Sequence, residues 1–329
     1  MTTAGEIITS TPPADWYSIY FTNPVDPSAT SYQGGIDESL AAAIDLARIS
    51  VDVAIYDLNL WSLRDALINA HRRGVEVRLV SESDNMDEQE IQEIKDAGIQ
   101  VRGDRREGLM HDKFMVIDRS EVWLGSMNYT YSSVYEDNNN LLRVRSEQLA
   151  ASYLAEFDEM FVDDLFGPQV VPNPMDPEVD FGDARLEVLF SPDDGVSNQL
   201  EAILREAEES IDFMAFSFTS DELGEAIRSV WDRGLEVRGV MDADQIAFNI
   251  GTEYDLFKQE DMDVFLDGAP GQMHHKVIII DGGIVVTGSY NFSRSAETRN
   301  DENVVIIYDE DIAGFFLQEF ARVYRQAQK

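Results

Sequence analysis

Two stretches of the sequence carry the same set of residue types that can perform acid–base and nucleophilic chemistry. The first reads MHDKFMVIDRSEVWLGSMN and the second MHHKVIIIDGGIVVTGSYN, so both fit H-x-K-x4-D-x6-G-S-x-N without a gap. An imidazole can attack phosphorus or transfer a proton near neutral pH, and an ammonium or amide can hold phosphate oxygens. We therefore expect a phosphate-directed site. Its residues are His111, Lys113, Ser126 and Asn128 from the first stretch and His274, Lys276, Ser289 and Asn291 from the second.

Strand alternation and a hairpin turn predict how these side chains meet. Residues i and i+2 of a strand share a face, so the histidine and lysine of each stretch point the same way. A two-residue turn at Gly282–Gly283 pairs Lys276 with Ser289 and His274 with Asn291. Each hairpin is thus predicted to supply half of the site. In the first stretch the same turn at Arg119–Ser120 pairs Lys113 with Ser126 and His111 with Asn128.

The two stretches belong to a duplication of the whole chain. Ser50-Val51-Asp52 recurs 160 residues later as Ser210-Ile211-Asp212. The two motif histidines are 163 residues apart, so three residues are inserted between these blocks in the second copy. Internal similarity at a fixed shift is the signature of a repeated structural unit. The sequence therefore predicts two homologous halves.

Each half has the pattern of an α/β unit. Apolar-periodic helices are predicted over 37–47 and 63–73, with buried strands at 51–56 and 75–80, and the second half repeats this order. A segment with four prolines, 166–183, reads as a semi-extended linker. The predicted organisation is an N-terminal repeat over 1–165, including a loop-like leader at 1–15, then the linker, then a C-terminal repeat over 184–329.

The paired motif resembles the signature of the phospholipase D superfamily, and the resemblance covers nearly the whole chain, about residues 16 to 325. It implies two αβα sandwich halves related by a pseudo-twofold, with one active site at their interface, so that a single chain forms a complete site without a stable protein partner. It also implies metal-independent and cofactor-free cleavage of a phosphodiester through a phosphohistidine. One histidine attacks, the other serves as acid and base, and the lysines and asparagines hold phosphoryl oxygens. By the same resemblance Asp118 and Asp281 are structural.

The two copies differ at one position of the extended motif. Glu302 lies 28 residues after His274, where the superfamily's small nucleases and cardiolipin hydrolases have a glutamate that orients an imidazole, whereas the first copy has Asn139. Glu136 or Asp137 is an alternative substitute for the missing glutamate. The histidines are therefore expected to have different roles, and the superfamily's habit favours His111 as the nucleophile. Strand alternation turns Asp112 and His275 away from the reacting face.

Charge and composition limit the substrates and partners. The formal net charge is −38 and the chain has only five lysines, so long polyanions are repelled unless salt screens the surface. Arg105 and Arg106 precede His111 and are candidates for gripping further phosphates, or else for pairing with nearby acids. The substrate is a phospholipid head-group diester or a nucleic acid, and the sequence leaves both open.

Two alternatives to a lipid-directed hydrolase stay open. The first is an endonuclease, and the second is a non-catalytic phosphate-binding or scaffold protein, although neither motif lacks its histidine or lysine. Cysteine is absent, which excludes disulfides and thiolate sites. No apolar run is long enough for a membrane span. We expect a soluble protein that is cytoplasmic, or exported with its leader missing from this chain.

Overall fold

The structure is a computed structural model of the chain, and it describes residues 15–172 and 176–329. Almost all of the predicted leader, and residues 173–175 of the predicted linker, lie outside the described residues. The described part contains two mixed sheets with helices packed against them. This confirms the predicted α/β class with two homologous halves.

The sheet of the first half has seven strands in the order β1-β7-β6-β5-β2-β3-β4. The pairs β2–β3 and β3–β4 are parallel, and the others are antiparallel. The strands are β1 Tyr17–Phe21, β2 Ser50–Ile55, β3 Glu76–Ser81, β4 Gln100–Gly103, β5 Lys113–Ile117, β6 Glu121–Gly125 and β7 Asn140–Arg145. The helices are α1 Ile36–Leu46, α2 Trp61–Arg72, α3 Gln89–Asp96, α4 Tyr131–Tyr135 and α5 Glu147–Phe161, with short 3-10 turns at Ala29–Ser31, Ser83–Asn85 and Gly167–Gln169.

The sheet of the second half has eight strands in the order β12-β11-β10-β13-β14-β15-β9-β8. Its edge strand β8 lies inside the segment predicted as linker, so part of that segment is regular sheet. The strands are β8 Glu178–Phe181, β9 Ala184–Ser191, β10 Ser210–Ala215, β11 Glu236–Met241, β12 Asp263–Leu266, β13 Lys276–Ile280, β14 Ile284–Gly288 and β15 Glu302–Tyr308. The helices are α6 Val196–Arg205, α7 Asp221–Asp232, α8 Ala243–Phe248, α9 Tyr254–Gln259, α10 Arg294–Thr298 and α11 Glu310–Ala327.

The two halves share one apolar core. Helices α5 and α11 pack between the sheets, where Phe114 and Tyr153 of the first half join the same cluster as Val277 and Phe316 of the second. The outer face of each sheet is covered separately, by α1 and α2 in the first half and by α6 and α7 in the second. Because burial of apolar surface is the dominant favourable term in association, this common core holds the two motif hairpins side by side.

The repeated sequence blocks have a structural explanation in a buried ion pair. Arg78 Nε donates to Asp52 Oδ1 at 2.6 Å, and in the second half Arg238 Nε donates to Asp212 Oδ1 at 2.7 Å. The aspartates are buried, and the arginine planes also lie over aromatic rings of α5 and α11. Removing one member of such a pair leaves a buried charge, which explains why both members occur in both copies.

The predicted hairpin register is wrong by one residue. Ile117 pairs with Glu121, and Ile280 pairs with Ile284, so each turn has three residues rather than two. The cause is the motif aspartate, which leaves the strand with a left-handed φ of 51° at Asp118 and 52° at Asp281. Continuing this register sets Lys113 opposite the glycine of G-S-x-N rather than the serine. The expected pairing of His with Asn and Lys with Ser does not occur.

Candidate active site

The two motif histidines meet at the interface between the halves. Each is held by the backbone of the opposite half, because His111 N donates to Asp301 O and His274 N donates to Asn138 O, both at 3.0 Å. Short parallel bridges, Met110 with Asp301 and Asn138 with Met273, reinforce these contacts. The relation is reciprocal, as a pseudo-twofold requires. The residues of both motifs therefore form one group rather than two.

The imidazoles have different partners. His111 Nδ1 lies 2.7 Å from Glu302 Oε2, whereas His274 Nδ1 lies 2.8 Å from Asn139 Oδ1. A carboxylate or amide oxygen accepts a hydrogen bond, so in both rings Nδ1–H donates and Nε2 keeps its lone pair. Glu302 therefore acts on the histidine of the other half, a pairing that the sequence left open. Asn139 takes the equivalent place at His274, so neither Glu136 nor Asp137 substitutes for the glutamate.

The serines of the motifs lie behind the histidines. Ser289 Oγ donates to Glu302 Oε2 at 2.8 Å, and Ser126 Oγ donates to Asn139 Oδ1 at 2.9 Å. Both serines have no exposed surface. Each hydroxyl therefore orients the group that orients a histidine. The sequence placed both serines among the residues of the phosphate-directed site, and in the structure they contact the groups that hold the histidines.

The two lysines are buried next to the histidines. Lys113 Nζ donates to His111 O at 2.7 Å and Lys276 Nζ donates to His274 O at 3.0 Å, and each lysine is 1% exposed. Burial lowers the pKa of Lys113 to about 8, and burial followed by the charge of Lys113 lowers the pKa of Lys276 well below its ordinary value. Burial, followed by the nearby lysines, also lowers the pKa of both motif histidines. An anion bound here counters each of these shifts, because it favours the protonated forms.

The motif asparagines have polar atoms free for a ligand. The Oδ1 atoms of Asn128 and Asn291 are buried and accept no hydrogen bond from the described residues. A buried polar atom without a partner costs free energy unless a ligand or water satisfies it. The glycine of each G-S-x-N lies against the backbone of the neighbouring strand. Gly125 has φ +152° and Gly288 has φ +147°, and a Cβ at these positions would collide with the backbone carbonyls of Asn140 and Asn303, respectively.

The residues between each motif histidine and lysine face away from the site. Asp112 and His275 are fully buried, and each contacts an asparagine of the other half. Asn303 Nδ2 donates to Asp112 Oδ1 at 2.7 Å, and Asn140 Nδ2 lies 3.1 Å from His275 Nδ1. Sequence reasoning missed these two asparagines, which directly follow Glu302 and Asn139. They lock the interface on which the site depends.

The motif aspartates and the candidate arginines are engaged in structural contacts. Asp118 accepts hydrogen bonds from the backbone of Ile49 and Ser50, and Asp281 has the same role in the second half. Arg105 pairs with Asp164, just before the segment predicted as linker. Arg106 pairs with the buried Asp301 and donates to Arg299 O at 2.7 Å. The arginines are therefore held by acids and backbone, which is the second of the two alternatives that the sequence left open.

Within residues 15–172 and 176–329, no group of three or more histidines and acids is arranged to hold a metal ion. The atoms that face the site are the Nε2 atoms of two imidazoles, with two ammonium groups and two amides around them. Such a set suits a tetrahedral anion. It defines a class of protein in which a duplicated chain builds one phosphate-directed site from two H-x-K motifs.

Comparison with known proteins agrees with this class. The family model described as "Cardiolipin synthase, PLD-like domain" matches residues 40–161 and 200–324, more than half of the chain. The chain therefore belongs to the phospholipase D superfamily, through two copies of the PLD-like domain.

Curated relatives resemble one part of the chain. Human mitochondrial cardiolipin hydrolase is 39% identical over 131 residues, which is 40% of this chain and 51% of that protein. A phospholipase D of Rickettsia prowazekii is 35% identical over 137 residues, 42% of this chain and 66% of that protein. The chain thus spans about half the length of the cardiolipin hydrolases that it matches.

Solved structures also match both halves of the chain. The phosphatidylserine synthase of Haemophilus influenzae Rd KW20 covers 93% of this chain and 86% of its own, with a TM-score of 0.68 and 14% identity. At that identity the likeness shows the fold alone. In the part of the chain that the structure describes, no helix is both long and apolar enough to cross a bilayer.

Proposed function

We propose that the chain is a metal-independent phosphodiesterase in which His111 is the nucleophile and His274 is the general acid and base. The contact of Glu302 with Nδ1 of His111 carries this assignment. A carboxylate on Nδ1–H raises the basicity of Nε2 and stabilises the positive ring that forms when Nε2 bonds to phosphorus. The neutral Asn139 orients His274 without this charge.

The reaction has two displacements. In the first, Nε2 of His111 bonds to phosphorus while the phosphorus–oxygen bond to the leaving group breaks, and His274 gives that oxygen a proton. In the second, neutral His274 takes a proton from water, the water oxygen bonds to phosphorus and the phosphorus–nitrogen bond breaks. The negative diester beside His274 raises the pKa of that ring, so the acid form is available once substrate binds.

Charge on the phosphoryl oxygens is stabilised by the remaining motif residues. Lys113 and Lys276 are close enough to the histidines to share a tetrahedral anion with them, and they are preorganised by burial. Asn128 and Asn291 would donate to phosphoryl oxygens through Nδ2, whereas their buried Oδ1 atoms, which lack a partner among the described residues, can accept a hydrogen bond from water or a substrate hydroxyl. Serines 126 and 289 act only through Asn139 and Glu302.

A phospholipid head-group diester is the proposed substrate class, with nucleic acid as the alternative. Relatives named cardiolipin hydrolase and phospholipase D support the lipid. The charge of −38 opposes long nucleic acids at ordinary salt. Both halves of the site come from one chain, so a second chain is not needed to complete it.

The test compares His111→Asn, His274→Asn and His71→Asn, where His71 lies in α2 outside the site and serves as the control. Each is incubated in EDTA with cardiolipin vesicles, single-stranded DNA and a chromogenic phosphodiester. With a leaving group that needs no proton, His274→Asn should still form the phosphohistidine, but it lacks the base that activates water in the second step. The intermediate should therefore accumulate, and mass spectrometry should find the phosphoryl group on His111.

Three outcomes contradict parts of this proposal. Phosphate trapped on His274 reverses the roles of the histidines. Loss of wild-type activity in EDTA refutes the metal-free mechanism. A wild-type chain that cleaves none of the three substrates at low or high salt supports the non-catalytic alternative.

A further inference from the structure

Two aromatic side chains occupy equivalent positions beside the two histidines. Tyr56 directly follows β2 and Phe216 directly follows β10, 160 residues later. Tyr56 N donates to Asp112 O at 3.1 Å and Phe216 N donates to His275 O at 2.9 Å. Each aromatic residue is therefore tied by its backbone to the residue between a motif histidine and its lysine.

Each ring contacts both charged groups of its own motif. The Tyr56 ring lies 5.0 Å from the His111 ring with an interplanar angle of 66°, and Lys113 Nζ lies 5.2 Å from its centroid. The Phe216 ring lies 4.7 Å from the His274 ring at 62°, and Lys276 Nζ lies 4.7 Å from its centroid. Edge-to-face ring pairs and ammonium groups over a ring face are both attractive geometries.

The rings of Tyr56 and Phe216 are more exposed to solvent than the histidines and lysines that they contact. Tyr56 and Phe216 are half-buried, whereas the histidines are 6–7% exposed and the lysines 1%. The rings therefore form the outer wall of the site, between the cationic groups and the solvent.

We propose that Tyr56 and Phe216 are positioning residues, each of which holds one imidazole and one ammonium in place and keeps water from them. The proposal rests on the proposed function, since the reaction is what this positioning serves. An Nε2 atom held in place is already oriented for in-line attack at phosphorus, which lowers the entropic part of the barrier. A dry wall strengthens the attraction of the lysines for the phosphate.

The charged surroundings of the histidines set the expected titration. His111 faces Glu302 on β15, Lys113 of its own motif and Lys276 of the other. The charges that act on His274 come from both lysines, from His111 and, from the other side of its strand, from His275. Burial is the largest cause of the low pKa of both rings. Replacing a wall ring with a smaller side chain admits water, so the pKa of the adjacent histidine should rise toward its ordinary value.

The test uses Tyr56→Leu and Phe216→Leu beside the conservative variants Tyr56→Phe and Phe216→Tyr. The control is Tyr308→Leu, because Tyr308 also packs under a cation, Arg185 at 4.0 Å, at the far end of β15. With a chromogenic phosphodiester, each Leu variant should lose about tenfold in kcat and change KM less than about threefold. The conservative variants and the control should stay near wild type.

A second readout does not depend on turnover. Histidine NMR should show the midpoint of His111 moving to higher pH in Tyr56→Leu, and that of His274 moving in Phe216→Leu. If Tyr56→Leu does not fold, Tyr56→Met replaces it. A wild-type protein without diesterase activity refutes the proposed function. The histidine titrations would then still show whether the rings of Tyr56 and Phe216 keep water from the two histidines.

Two results overturn the inference. The first is Leu variants with wild-type kcat and unmoved titrations. The second is a kcat for Tyr56→Phe as low as that for Tyr56→Leu, because the hydroxyl of Tyr56 rather than its ring would then be responsible for the effect.

Discussion

Glu302→Gln is the sharpest test of the difference between the two histidines. Glu302 is fully buried and accepts hydrogen bonds from His111 Nδ1 at 2.7 Å, Ser289 Oγ at 2.8 Å and Asn300 Nδ2 at 3.1 Å. A glutamine of the same shape keeps an oxygen for His111 but removes the charge. His274 already has such a neutral contact with Asn139 of the opposite half, so the variant makes the two histidines alike.

The magnitude follows from the kind of hydrogen bond. A hydrogen bond to a charged group contributes roughly 1.5–3 kcal/mol and a neutral one about 1 kcal/mol. The difference, about 0.5–2 kcal/mol, applies mainly when His111 becomes positive on bonding to phosphorus. At 1.4 kcal/mol per factor of ten, kcat should fall about 2- to 30-fold. KM should change much less, because the phosphate contacts are unaltered.

Steady-state kinetics on a chromogenic phosphodiester measure this loss. Glu319→Gln is the matched control, since Glu319 also contacts a buried imidazole, His275 at 3.1 Å, but one that faces away from the site. Its kcat should stay within about threefold of wild type. The reasoning is refuted if Glu302→Gln keeps wild-type kcat, or if both variants lose the same factor.

Three further outcomes are expected. The pKa of Lys113 is lowered to about 8 by burial, so its ammonium is lost as the pH rises through that value. A pH profile of kcat/KM should therefore fall above about pH 8, and a profile that stays flat to pH 10 contradicts this. Arg106→Ala leaves Asp301 buried without its partner and should lower the free energy of unfolding in urea by about 3–5 kcal/mol. Arg105→Ala breaks an exposed pair and should lower it by about 1 kcal/mol or less. Equal losses in the two variants would refute the interface role of Arg106. Because the net charge is −38, the melting temperature should rise between 0.1 and about 1 M NaCl as the Debye length falls from about 10 to 3 Å, and calorimetry showing no rise would mean that self-repulsion is unimportant.

Local patterns in the sequence were enough to predict the elements and the reacting groups. Helix α2 was expected over 63–73 and spans Trp61–Arg72, because an apolar period and a glycine stop are properties of the segment itself. The duplication placed His111 and His274 in equivalent positions without any knowledge of the fold. Residue types alone indicated phosphate chemistry.

The hairpin register required the structure. A two-residue turn was the natural choice for Gly282–Gly283, but Asp281 adopts a left-handed backbone and its carboxylate binds the amides of Glu209 and Ser210. That contact comes from a segment some 70 residues away in the chain. Turn composition carries no information about it.

The pairing of groups across the interface also belongs to the tertiary structure. The sequence showed that Glu302 and Asn139 differ, but it assigned neither to a histidine, because that depends on how the halves dock. Tyr56 and Phe216 gave no signal, since an aromatic residue after a buried strand usually signifies core. Residue types thus determined which chemistry is available, and the packing of two sheets on a common core decided which histidine receives the carboxylate.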